Sequence, residues 1–110
     1  MIVGVNQDED FGPVIMFGLG GIFVEILRDV NFRAVPIEEE DARELIEEME
    51  SKELLEGVRG EEPVDKEAIV EVLLKVSDLV EDEPVEELDI NPLFVNPDGA
   101  YAADALVKLR

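Results

Sequence analysis

EELDINPLFVNPDGAYAADALVKL, residues 86–109, is the stretch on which the fold turns. Its opening, EELDI (86–90), sets Leu88 and Ile90 between acids, the period-two pattern of a strand with one buried face. LFV (93–95) reads as another strand, Asn96-Pro97-Asp98-Gly99 as a turn, and AYAADALVKL (100–109) as the strand that comes back. On the first of these strands Glu87, Asp89 and Asn91 point to one face. Pro92 has no N–H to give a neighbour, so Asn91 stands at a break in the strand.

Working back toward the N-terminus, IVGVN (2–6) and VIMFG (14–18) read as a hairpin joined by the polar turn QDEDFGP (7–13). The run IFVEIL (22–27) and then VNFRAV (30–35) predict a second hairpin turning near Arg28 and Asp29, with Phe32 and Ala34 alternating against Asn31 and Arg33. The period then changes. Ala42, Leu45, Ile46 and Met49 form the apolar stripe of a helix over 38–50, with acids from Glu38 to Asp41 where the helix dipole favours them. After a looser stretch (51–63), Asp65 is a good N-cap for a second helix, with Val64 and Ile69 placed as a hydrophobic staple. Ile69, Val72, Leu73, Val76 and Val80 give that helix its buried face, and Pro84 follows its end. The order β-β-β-β-α-α-β-β is that of an α+β domain, a mostly antiparallel sheet with helices packed on one face.

At 110 residues with 46% hydrophobic composition, one domain with a real core is expected. No apolar run approaches the ~20 residues of a membrane span. The N-terminus MIVGVNQDED is not a secretory leader, so a soluble cytoplasmic protein is expected. The net charge is −20, from 29 acids against 9 bases. A field of that sign repels phosphate backbones and anionic lipid, which speaks against nucleic-acid and membrane partners. Most of these carboxylates are read as a solvated surface suited to a salt-rich or hot cytoplasm. The chain has neither histidine nor cysteine. Histidine-based catalysis and nitrogen or thiolate metal sites are therefore excluded, and any bound metal must be a hard cation on oxygen.

Three constellations carry oxygen donors or anion-binding character. Glu87, Asp89 and Asn91 lie on one strand face, and Asp104, framed by Ala102, Ala103 and Ala105, is a candidate for burial and hence for a cation partner. Spacing alone favours a plain solvent face here. In FGLGG (17–21), glycines at 18, 20 and 21 permit close approach of backbone N–H groups to a ligand. A tight link between strands accounts for them equally well, and neither the Rossmann glycine spacing nor the Walker lysine is present. Arg59, between Gly57 and Gly60, is placed either to contact phosphate or to pair with a nearby acid.

Taken in order, DFGPVIMFGLGGIFVE (10–25), a proline, two helices, GVRG (57–60), ELDINPL (87–93) and the later GAYAADA (99–105) resemble the beta (ATP-grasp) portion of the NDP-forming acyl-CoA synthetases. That family includes ADP-forming acetyl-CoA synthetases and is related to succinyl-CoA synthetase. The resemblance covers nearly the whole chain and implies the C-terminal lobe of an ATP-grasp domain. The implied activity is phosphoryl transfer between ATP/ADP and an enzyme phosphohistidine, with Mg²⁺ on the nucleotide phosphates. Asn91 and Asp104 match the metal-holding positions, and Asp89 matches the acid before INPL, with a supporting role. Gly20, Gly21 and Glu25 match the family's Gly-Gly…Glu segment, with Arg59 a further phosphate contact.

The resemblance also implies partners: the N-terminal ATP-grasp lobe, expected to precede Met1, and a CoA-binding chain carrying the phosphohistidine. Alone, this chain is not expected to be a complete catalyst. Leu106 stands where the family pattern often has Arg, a departure that keeps open an alternative, a non-catalytic adaptor or regulatory module derived from such a lobe.

Overall fold

The computed structural model describes residues 1–19, 29–57 and 62–110. Strand β1 (Ile2–Asp8) turns back into β2 (Gly12–Gly18) in register from Ile2 opposite Gly18 to Asp8 opposite Gly12. The turn is set locally. The Asp8 carboxylate accepts the N–H groups of Asp10 (2.9 Å) and Phe11 (3.0 Å), and Gly12 takes φ +73°, a left-handed conformation that glycine adopts without steric cost. Both strands thus run closer to the turn than the sequence pattern implies. The run expected as a strand at 22–27 lies outside the described residues. Strand β3 (Val30–Ala34) forms as expected and pairs antiparallel with β2.

Helix α1 (Glu39–Glu47) starts at Glu38, whose N–H donates to the Asp41 carboxylate (2.8 Å). Its stripe buries Ala42, Leu45 and Ile46, and Met49 is buried just past its end. The looser stretch contains a 3₁₀ turn, Lys52–Leu55, that buries Leu55. Helix α2 (Lys66–Asp82) is capped by Asp65, whose carboxylate accepts the Ala68 N–H at 3.1 Å. Ile69, Val70, Leu73, Val76, Ser77 and Val80 are its buried residues, and Val72 is half-buried. The Ser77 hydroxyl accepts the Ile37 N–H (3.0 Å), so the polar member of that face is satisfied.

The C-terminal third corrects one expectation. The run 100–109 is not one strand: β6 (Gly99–Ala102) pairs with β5 (Leu93–Asn96) in a separate hairpin, and β7 (Ala105–Leu109) crosses to pair with β4 (Val85–Ile90). The main sheet has the order β3-β2-β1-β4-β7 with every described pairing antiparallel. Both helices lie against one of its faces, and the core between them gathers Val3, Val5, Ile15, Phe17, Leu45 and Leu73. The other face is open. Cross-strand register places Phe32, Met16, Gly4, Asp89 and Leu106 in one row on it. Phe32 and Ala34, the apolar side of the β3 alternation, therefore face out, while Arg33 points to the helices and pairs with Glu48 (2.5 Å) and Glu44 (3.6 Å).

Candidate functional site

The site is built where two strands break at the same level. Strand β4 ends at Ile90 and β6 ends at Ala102, leaving Asn91-Pro92 beside Ala103-Asp104. The Asn91 N–H donates to the Asp104 carbonyl (3.1 Å), and the Ala103 N–H donates to the Pro92 carbonyl (3.0 Å). Pro92 has no N–H, so its carbonyl is what it offers, and Ala103 takes it. A third bond, from the Leu93 N–H to the Met1 carbonyl (2.7 Å), ties the same bend to the start of β1. Asn91 and Asp104 are thereby held side by side by backbone, independent of their own side chains.

Asp89 lies one pleat away on the open face, opposite Gly4 on β1 and Leu106 on β7. The expected alternation holds: Leu88 and Ile90 are buried in the core, while Glu87, Asp89 and Asn91 are exposed. A Cβ at Gly4 would meet only the end of Met16 (3.2 Å) and the Leu88 carbonyl (3.6 Å), so the floor beside Asp89 is kept low by a glycine. The expectation that Asp104 is buried is not met. All of residues 101–110 are exposed, because β7 is the outer strand and the helices cover the inner ones.

The donor set suits a hard divalent cation. Among the described residues no three His, Cys, Asp or Glu side chains converge into a metal cage. What the site offers is one amide oxygen and two exposed carboxylates. That suits a small cation which keeps several waters and takes phosphate oxygens as its other ligands, as Mg²⁺ does. Gly20, Gly21, Glu25 and Arg59 lie outside the described residues. Within FGLGG, Gly18 is a packing glycine: a Cβ there would collide with the Asp29 carbonyl and come within 2.5 Å of Val30 Cγ1.

Two features were missed in the sequence. The first is Asp29, 4% exposed, read there as part of a turn. Its carboxylate accepts the N–H groups of Glu50 (2.7 Å) and Ser51 (2.9 Å) and the Ser51 hydroxyl, tying the start of β3 to the chain after α1. Burial pushes its pKa up, but those three donors outweigh it and hold the carboxyl below the ordinary range. Nothing local to Asp29 signals this, since its donors are more than twenty residues away. The second is a cavity of about 300 Å³ near the β1–β2 turn, lined by Asn6, Gln7, Asp8, Phe11, Val14 and Phe32. The exposed side of the β3 alternation was its available signal.

Among the described residues no helix is long and apolar enough to cross a membrane. The ATP-grasp domain family matches residues 1–109. The beta subunit of acetate–CoA ligase [ADP-forming] II from Pyrococcus furiosus is 54% identical over 114 residues, which span 100% of this chain and 48% of that protein. The beta subunit of ligase I from the same organism is 52% identical over 110 residues, covering 99% of this chain and 47% of that one. The chain thus spans about half the length of these relatives. Among solved structures, the acetyl-coenzyme A synthetase 1 of Ca. Korarchaeum cryptofilum, in complex with coenzyme A and Mg-AMPPCP, superposes with a TM-score of 0.93 at 47% identity. That match covers 99% of this chain and 52% of that one. PH1788 from Pyrococcus horikoshii gives a TM-score of 0.91 at 51% identity over 99% of this chain and 47% of that one.

Proposed function

The chain belongs to the ATP-grasp domain family, and from that premise we propose that it is the C-terminal lobe of the ATP-grasp portion of an ADP-forming acyl-CoA (acetyl-CoA) synthetase. It holds the Mg–nucleotide phosphates during phosphoryl transfer between ATP/ADP and a phosphohistidine on another chain. The observation that carries this reading is the pair of backbone bonds joining Asn91-Pro92 to Ala103-Asp104. They make Asn91 and Asp104 neighbours at facing strand ends beside an open sheet face. Relatives support the rest, since one at TM-score 0.93 was solved with Mg-AMPPCP.

When bound, Mg²⁺ supplies charge neutralisation and a template for the phosphate oxygens. This chain's own residues supply position. The Asn91 amide oxygen and the Asp104 carboxylate would hold the cation, with Asp89, one pleat away, in a supporting position. The surrounding charge of −20 repels free phosphate, so the nucleotide approaches favourably only with its cation. Gly20, Gly21 and Glu25 would approach the nucleotide by their family positions, and Arg59 would contact phosphate. The chain has no histidine. On this reading the phosphohistidine lies outside residues 1–110, on a CoA-binding domain or partner, and the opposite wall of the cleft is the N-terminal ATP-grasp lobe.

The test is reassembly of the chain with those parts and measurement of ATP formation from acyl-CoA, ADP and phosphate. Asp104→Ala and Asn91→Ala are each expected to lower kcat/KM by more than about 100-fold, beyond what losing a merely supporting contact costs. Far-UV circular dichroism should stay unchanged, and Mn²⁺ titration followed by electron paramagnetic resonance should show weakened binding. Normal turnover by Asp104→Ala would remove the metal assignment.

A further inference from the structure

The two runs of chain that carry Asn91 and Asp104 keep one register on both sides of the bend. In β5–β6 Asn96 lies opposite Gly99 and Leu93 opposite Ala102. In β4–β7 Ile90 lies opposite Ala105 and Glu87 opposite Lys108, before the register shifts between Glu87 and Val85. The same count sets Asn91 opposite Asp104 and Pro92 opposite Ala103, where the two bonds of the bend fall. What changes at the bend is the facing. Leu88 and Ile90 point into the core from β4, but the next core residue is Leu93, with Val95 packed after it, so the period of two is broken. Against β1 the strand also gains a residue. Val3 lies opposite Ile90, while Met1 exchanges both backbone bonds with Leu93 (3.1 and 2.7 Å), so Ile2 alone spans Asn91 and Pro92. That is a bulge, which re-aims the side chains beside it. The ribbon therefore rolls over at Asn91 and Asp104, and the angle of the roll sets how closely their side chains approach.

The far end of this ribbon is tied to the helix layer. The Asp65 N–H donates to the Asn96 carbonyl at the hairpin tip (2.9 Å), while the Asp65 carboxylate caps α2 through the Ala68 N–H (3.1 Å). The Asn96 side chain accepts the Asp98 N–H (2.8 Å) and so shapes the turn that presents its carbonyl. We infer that Asp65 is a positioning residue for the cation pair: its N–H pins β5–β6 to the start of α2 and fixes the roll that sets Asn91 against Asp104. A two-stranded ribbon twists more freely than a wide sheet and is marginal by itself, so its orientation depends on what holds its ends. Leu93, 1% exposed, anchors the near end. The anchor at the tip is firm because α2 runs from Lys66 to Asp82 and buries Ile69 and Leu73 fully. The inference rests on the reading of Asn91 and Asp104 as the residues that hold the cation.

The experiment is Mn²⁺ titration of the full chain followed by electron paramagnetic resonance. Asp65→Pro removes the N–H that holds Asn96, and the proline ring suits the φ of −78° at this position. Asp65→Ala loses the same cap and keeps the N–H. Asp65→Pro should therefore bind Mn²⁺ about fivefold or more weakly than Asp65→Ala, the factor carried by one net hydrogen bond. Asn96→Ala, which loses the turn bond, should also weaken binding, and Asn96→Ser, a neutral acceptor at the same place, should recover part of the loss. Far-UV circular dichroism follows the fold, and the Asn96 pair decides the matter if Asp65→Pro does not fold. Equal affinities for Asp65→Pro and Asp65→Ala would overturn the inference. So would wild-type affinity in Asn96→Ala. Asp104→Ala separates the two levels. If it loses Mn²⁺ while the Asp65 and Asn96 variants do not, the positioning role falls and the cation pair stands. If it binds as the wild type does, the pair falls and the positioning role with it.

Discussion

Asp29 is the residue whose position says most about how this chain coheres. It is nearly fully buried, and three donors from Glu50 and Ser51 converge on it. A depressed folded-state pKa means its stabilising contribution is present above the unfolded pKa, about 3.9, and is lost as pH falls through the lower folded value. Asp29→Ala is therefore expected to cost about 1–3 kcal/mol at neutral pH by stranding those donors. The difference from wild type should shrink as pH drops below about 4. Urea melts of both proteins at neutral and acid pH check this, and a difference independent of pH would remove the carboxylate from the account. The donors reach Asp29 only after β3 and the end of α1 have docked, which is why no local pattern announced it. Asn91 and Asp104 are the opposite case. Their type and order were legible in ELDINPL and AADAL, but the bonds that set them side by side belong to the tertiary fold.

The helices are where local sequence and structure agree most closely, because capping and apolar spacing act within a few residues. Asp65 caps α2 as its position before an apolar-periodic run implied, and it accepts the Ala68 N–H. Asp65→Ala should destabilise the chain by about 1 kcal/mol, read as a lowered urea midpoint with unchanged slope. A larger loss would point to a role beyond the cap. The strands are legible in existence but less so in extent and pairing. The run 100–109 has no residue that forbids continuous extension, yet it divides at Ala103-Asp104. The division follows from the facing break at Asn91-Pro92, whose carbonyl draws the Ala103 N–H. A strand's partner is chosen by backbone groups that any sequence carries, so pairing escapes pattern reading.

For the whole molecule the governing quantity is charge. Arg33, Arg43, Lys52, Lys66, Lys75 and Lys108 each lie beside a carboxylate. These pairs are exposed, and such pairs contribute about 0–1 kcal/mol each. Among the described residues most acids have no cationic partner, and they repel one another across the surface. Repulsion outweighs attraction here, so adding salt should stabilise the fold. Raising NaCl from about 0.05 to 1 M should raise Tm by about 4 °C or more, the shift that follows from roughly 1 kcal/mol in a domain of this size. Differential scanning calorimetry checks it, and a Tm that falls with salt would mean the ion pairs dominate.

By itself, the sequence determined the α+β class, both helices with the Asp65 cap and most of their buried stripes, the oxygen-only chemistry of any metal site, and the kinship of ELDINPL and its flanks. Each of these depends on residue type and short-range spacing, which the chain carries from end to end. Only the tertiary structure decided which face of β3 meets solvent, that Asp104 lies exposed, that Gly18 is there for close packing, and that β7 leaves the hairpin to become the outer strand of the described sheet. Those outcomes depend on which distant backbone groups pair and which surfaces the helices cover.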